Sequence, residues 1–185
     1  MVPKKVYHAS KQQNQETIKP AFKGHNKKLV YATKNKPRAA LFLSRKGGDF
    51  TCQIIGGETT LVERFEGALD HRYSGISGSI YTLPGEKFEE SKTDWQFEVT
   101  CKEEVTPLNE EKIEEAKKYL MKLKEKGKIK IVYHPNKPDY IPKDDSDLVQ
   151  KAVKLAKQDK EKAMEIIEKY HPNLKNRVLK KLKER

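Results

Sequence analysis

The sequence predicts an α+β protein, with a β-rich stretch over residues 1–106 and a helical region over 107–185. Two observations carry this. Short runs rich in Val, Tyr, Ile and Phe recur through the first hundred residues, broken by Gly and Pro, as strands and turns require. Beyond residue 107 the apolar residues fall at helical spacing instead. The length of 185 residues suits about one domain with an appendage.

Taken in order, residues 4–9 (KKVYHA) and 28–33 (KLVYAT) are β-type runs separated by a polar loop with Pro20 and Gly24. Pro37 opens a short helical run over 37–44 (PRAALFLS), where its missing N–H costs nothing, and Gly47-Gly48 ends it. Residues 49–55 (DFTCQII), 59–65 (TTLVERF), 78–83 (GSIYTL) and 95–101 (WQFEVTC) are further strands. Asn109 then reads as a helix N-cap, with Glu110 and Glu111 in the first turn and Gly127 just past the end. Ile113, Ala116, Leu120 and Leu123 form the apolar stripe of that helix. Residues 128–134 (KIKIVYH) alternate as one extra strand, and 135–145, with three prolines, form a linker or extended arm. Three apolar stripes follow. Leu148, Ala152, Val153 and Ala156 make the first, and Ala163, Ile166, Ile167 and Tyr170 the second, stopped by Pro172. Leu174, Val178 and Leu182 make the last, on a heavily basic segment.

Apolar residues make up 35% of the chain and charged residues 36%, a polar composition against the typical ~45–50% and ~25%. The recurring aromatic and β-branched blocks nevertheless argue against wholesale disorder. No apolar run approaches the ~18 residues of a spanning helix, so no membrane partner is expected. Nothing apolar follows Met1-Val2-Pro3-Lys4-Lys5, so no secretory signal is expected. Cys52 and Cys101 are too few for a disulfide framework or a zinc site, and the expectation is a reduced, cytoplasmic protein. His25, His71, His134 and His171 show no ligand spacing, so no metal site is predicted. The net charge of +12 is uneven: residues 1–46 hold 12 Lys and Arg against one acid, Glu16. Such a segment attracts polyanions, either nucleic acid or a phosphate-bearing small molecule. Lysine in this number also simply keeps a surface soluble.

Three residue groups carry potential chemistry. They are Val6-Tyr7-His8-Ala9-Ser10, then Leu29-Val30-Tyr31-Ala32-Thr33 leading into Ala39-Ala40-Leu41-Phe42, and Gln96-Phe97-Glu98-Val99-Thr100. In this order the sequence resembles the ADP-ribosyltransferase superfold, in particular the diphtheria-toxin-type branch that includes the poly(ADP-ribose) polymerases. That branch carries a His on its first strand, a Tyr on its second and a Glu on a later one. The resemblance covers about residues 4–105. It implies a mixed β core of two small sheets with flanking short helices, NAD as substrate, and transfer or hydrolysis of ADP-ribose with a protein as one acceptor class. It implies catalytic roles for Glu98, His8 and Tyr31, and places His8, Ala9, Ser10, Tyr31 and Gln96 at the NAD. Ala9 departs from the family, which usually has Gly there, and narrows the pocket by one methyl.

The implied chemistry is self-consistent. The pyridine of NAD leaves as a neutral molecule and needs no proton, so one carboxylate suffices where glycosidases use two. Glu98 would hold the nicotinamide-ribose hydroxyl and stabilise the oxocarbenium-like charge. His8 would hold the adenosine-side ribose, and Tyr31 would stack on the ring. No GxGxxG or GxxxxGK[ST] motif offers a rival phosphate cradle. Each residue also has an ordinary reading. His8 can end a strand on a backbone carbonyl, Tyr31 can be core or rim, and Glu98 can face water on a half-buried strand. Two other functions therefore stand beside the enzyme: a non-catalytic ligand- or protein-binding module of the same fold, and a basic nucleic-acid-binding protein.

Overall fold

Val6 and His8 are buried on one face of strand β1 (Lys5–Ser10), while Tyr7 and Ala9 lie half-exposed on the other. This is the two-residue alternation of a strand. The same alternation runs through β3 (Lys28–Thr33), which buries Val30 and Ala32, and β8 (Glu98–Cys101), which buries Val99 and Cys101. Val6, Val30, Ala32, Val99 and Cys101 share one core with Tyr81, Leu83, Phe88 and Val105. The computed structural model describes residues 1–22, 27–55, 59–91 and 97–184. The fold is α+β, with two sheets and several helices.

The larger sheet runs β7 (Glu89–Glu90), β8, β3, β1, β6 (Gly78–Pro84) and β9 (Asn109–Ile113), with β2 (Ala21–Phe22) also paired to β3. Strand β6 is buried along its whole length. Gly78 opens it because a Cβ there would lie 2.4 Å from the Ser10 carbonyl oxygen. Helix α1 (Lys36–Ala40) starts at Asn35, whose side chain accepts from the Arg38 N–H at 3.0 Å. It is shorter than the predicted run over 37–44, and the chain continues through turns to the buried Leu43.

Residues 109–113 overturn one expectation. Asn109 does not cap a helix, and Glu110 and Glu111 are not in a first turn. They lie in β9, paired antiparallel along β6 from Gly78 opposite Ile113 to Thr82 opposite Asn109. The Glu110 carboxylate accepts from Ser79 Oγ at 2.5 Å and from the Tyr81 hydroxyl at 3.1 Å. Cross-strand pairing therefore wins over the local cap signal. Helix α3 (Ala116–Glu125) begins later, capped by Glu115, and Gly127 follows its end with φ +63°.

The chain divides into two compact units, both of them discontinuous. One unit takes Met1–Arg45, Gly56–Thr60 and Tyr73–Lys130; the other takes Lys46–Ile55, Leu61–Arg72 and Ile131–Arg185. The chain crosses between units several times, which a single cut in sequence cannot express. The second unit holds most of a three-stranded sheet, β10 (Lys130–Val132), β5 (Thr60–Glu63) and β4 (Cys52–Ile55), together with α2 (Ala68–Tyr73). Its core is built by α4 (Ser146–Ala156), α5 (Lys160–Tyr170) and α6 (Lys175–Lys183) through Leu148, Ala152, Ile167 and Val178. Among the described residues no helix is long and apolar enough to cross a membrane.

Candidate functional site

The cleft begins at a weak seam in the larger sheet. Strands β1 and β6 share six register pairs and β3 and β8 share four, whereas β1 and β3 meet at one, Tyr7 opposite Thr33. Continuing that register would set Ala9 opposite Tyr31. At this point the His8 ring stands at the join, its Nδ1 2.6 Å from the Tyr31 carbonyl oxygen. A carbonyl only accepts, so Nδ1 donates, and in the neutral ring Nε2 carries the lone pair. The seam thus keeps a buried imidazole in one tautomer where two strands part.

Glu98 and Tyr31 reach the same place by strand geometry. Glu98 stands opposite Thr33, two residues from Tyr31 on the neighbouring strand, and both alternate away from the core face. Ser91 Oγ donates to Glu98 Oε1 at 2.8 Å and orients the carboxylate. The Tyr31 hydroxyl donates to the Lys27 carbonyl at 3.2 Å. Desolvation by burial, and then the Glu98 charge, raises the Tyr31 phenol above its ordinary pKa.

These groups line one hollow of about 230 Å³. That volume is below the ~300–1,000 Å³ of pockets that enclose a whole drug-sized ligand, so it suits one ring and its neighbouring sugar. His8, Ala9, Tyr31 and Glu98 all line it. Ser10 does not: at the end of β1 its Oγ accepts from the Gln12 N–H at 3.1 Å, and it pairs with Ser79. Gln96 lies outside the described residues.

Sequence reasoning gave no site role to three members of the wall. Arg38, on α1, is only 2% exposed. Its guanidinium carbon lies 4.0 Å from the centroid of the Phe97 ring, which lines the cleft beside it. Burial lowers the Arg38 pKa. Phe42, just beyond α1, lines the cleft while 46% exposed, an apolar ring presented to whatever enters. The available signal was the run Pro37-Arg38-Ala39-Ala40-Leu41-Phe42, where a lone cation sits among small and apolar residues of a short helix.

Among the described residues the arrangement is an apolar slot with aromatic walls, lined also by the acidic Glu98, the basic Arg38 and the imidazole of His8. It can hold a flat ring between apolar faces and place a carboxylate beside developing positive charge. Among the described residues no group of three His, Cys, Asp or Glu side chains is placed to hold a metal ion. Compared with known protein families, with curated proteins and with solved structures, the chain finds no match.

Proposed function

We propose that the cleft binds NAD as a substrate and that the protein is an ADP-ribosyltransferase-like enzyme, passing ADP-ribose to an acceptor or to water. One observation carries this reading: His8, Tyr31 and Glu98, from three adjacent strands, line a single hollow. The pyridinium ring lies against the aromatic walls of Tyr31 and Phe42. The glycosidic C–N bond breaks with its electron pair going to the ring nitrogen, so nicotinamide leaves neutral. The cationic ribose that remains is stabilised by the Glu98 carboxylate, which also accepts from its 2′-hydroxyl. A water or acceptor nucleophile then forms the new bond at that carbon and gives up its proton to solvent water. His8, fixed by the Tyr31 carbonyl, offers Nε2 to a hydroxyl of the second ribose.

The test is nicotinamide release from NAD by the full chain. Glu98→Ala is expected to lower kcat by at least ~100-fold, the scale of losing one electrostatic stabiliser, with the melting temperature nearly unchanged. Equal turnover by the variant removes Glu98 from the mechanism. A second reading is a non-catalytic module that holds the same ligand in the same hollow. It predicts a thermal shift with NAD and no nicotinamide released.

A further inference from the structure

Helix α6 (Lys175–Lys183, KNRVLKKLK) carries five cations and no acid in its nine residues. Its apolar side is occupied: Val178 is fully buried in the core of the second unit with Leu148, Ala152 and Ile167, and Leu182 packs against them. The two cations of its first turn are paired, Lys175 with Glu168 at 2.6 Å and Arg177 with Asp144 at 2.9 Å. Lys180, Lys181 and Lys183 are exposed, and among the described residues none of the three forms an ion pair, although Glu184 follows them in sequence. Lys180 and Lys183 stand at i, i+3, and Arg177 and Lys181 at i, i+4, like-charge spacings that weaken a helix. A polyanion laid along this face would relieve that repulsion.

The chemistry of the face narrows the partner. A helix that lies in a lipid surface inserts its apolar side, and that side of α6 is inside the core. A protein interface is built on a dry apolar centre with few lysines, whereas the exposed positions of α6 are Asn176, Arg177, Lys180, Lys181 and Lys183. A phosphodiester backbone asks only for closely spaced point charges, which lysine supplies. Lys180, Lys181 and Lys183 fall within about one turn, ~5 Å of helix axis, a charge density like the one per ~1.7 Å of a nucleic-acid duplex.

We infer that the exposed face of α6 is a docking surface for the phosphate backbone of duplex nucleic acid, held through Lys180, Lys181 and Lys183. The inference stands apart from what the cleft binds.

Fluorescence anisotropy of the full chain with labelled duplex DNA and duplex RNA of about 20 base pairs, across about 50–200 mM salt, tests this. Affinity is expected to fall as salt rises. The triple variant Lys180→Gln, Lys181→Gln, Lys183→Gln is expected to bind at least ~10-fold more weakly at the lowest salt. Its log–log salt slope should flatten by about 0.9 for each lysine removed. The control, Lys4→Gln, Lys5→Gln, Lys11→Gln, removes the same charge from exposed positions of the basic N-terminal segment, and its loss is expected to stay below about threefold. Circular dichroism checks that both variants fold. Tighter binding to one duplex supports the inference and names the nucleic acid. No binding at the lowest salt, or equal binding by the α6 variant, overturns it. A loss in the control as large as in the α6 variant makes the effect one of net charge and overturns it too. Tighter binding to phosphatidylserine vesicles or to polyglutamate than to either duplex assigns the face to a lipid surface or an acidic protein, and likewise overturns it.

Discussion

Arg38 and Arg64 are both buried arginines, and their settings differ. Arg64, in the second compact unit, has a fully buried side chain gripped by both oxygens of Asp147 at 2.7 and 2.8 Å, by Asp145 at 2.8 Å and by Gln53 at 2.5 Å. Burial pulls its pKa down, but the hydrogen bonds to Asp147 and Asp145 outweigh that, and the net shift is upward. Arg38, in the first unit, rests over an aromatic face in the wall of a hollow, and burial lowers its pKa. A buried cation saturated by carboxylates of its own chain is architecture. Arg38 combines burial with a place over an aromatic face in the wall of a cavity.

Truncation is the strongest way to break this comparison. Arg64→Met leaves Asp147 without its guanidinium and Asp145 with Lys137 alone. It is expected to cost about 3 kcal/mol, the scale of breaking a buried pair from one side. Arg38→Met removes the cation over the Phe97 face and is expected to cost about 1 kcal/mol for that contact. Urea unfolding followed by circular dichroism measures both, and equal losses would erase the distinction.

Acid sharpens the comparison at a smaller scale. Burial opposes ionisation of Asp145, but its hydrogen bonds to Lys137 and Arg64 win; for Asp147 the bond to Arg64 does so, and both carboxyls lie below the ordinary 3.8. Their contribution is fully present above that value and is lost as pH falls through the folded values. His171, buried with Nε2 2.6 Å from the Phe50 carbonyl, is pushed below 6.5, chiefly by burial. Its unfolded form binds the proton first, so stability falls as pH drops below 6.5 toward the folded value. Melting temperature against pH should therefore decline in two stages, and His171→Gln should flatten the upper one. An unchanged upper stage in that variant would assign it to another group.

The smallest expected effects are in the slot itself. Tyr31→Phe keeps the ring face and loses only the hydroxyl that donates to Lys27, so NAD affinity should change less than about threefold. Ala9→Gly removes the methyl that narrows the cleft. It should tighten NAD binding severalfold while costing ~0.5–1 kcal/mol of stability, the penalty of Gly in a strand. Weaker binding by the glycine variant would show that the methyl is a contact and not an obstruction.

Much of the site was legible because strand alternation is local. Tyr31 and Glu98 sit at positions whose neighbours Val30, Ala32 and Val99 are apolar, so their outward face follows from the pattern alone. Arg38 was not legible, since a cation on a short helix is normally exposed, and tertiary packing, with Phe97 against its guanidinium, buries it. Asn109-Glu110-Glu111 misled for a related reason: the residues that begin a helix also suit a polar edge strand, and the presence of β6 decides between them.

By itself the sequence determined what short-range periodicity and charge can encode: strands early, helices late, a basic N-terminal segment, and which faces of β1, β3 and β8 turn inward. Tertiary structure alone decided the single-pair seam between β1 and β3, the imidazole standing in it, the burial of Arg38 and the interleaving of two compact units. Those features depend on register and contact between residues far apart in the chain, where the free energy of packing outweighs any local preference.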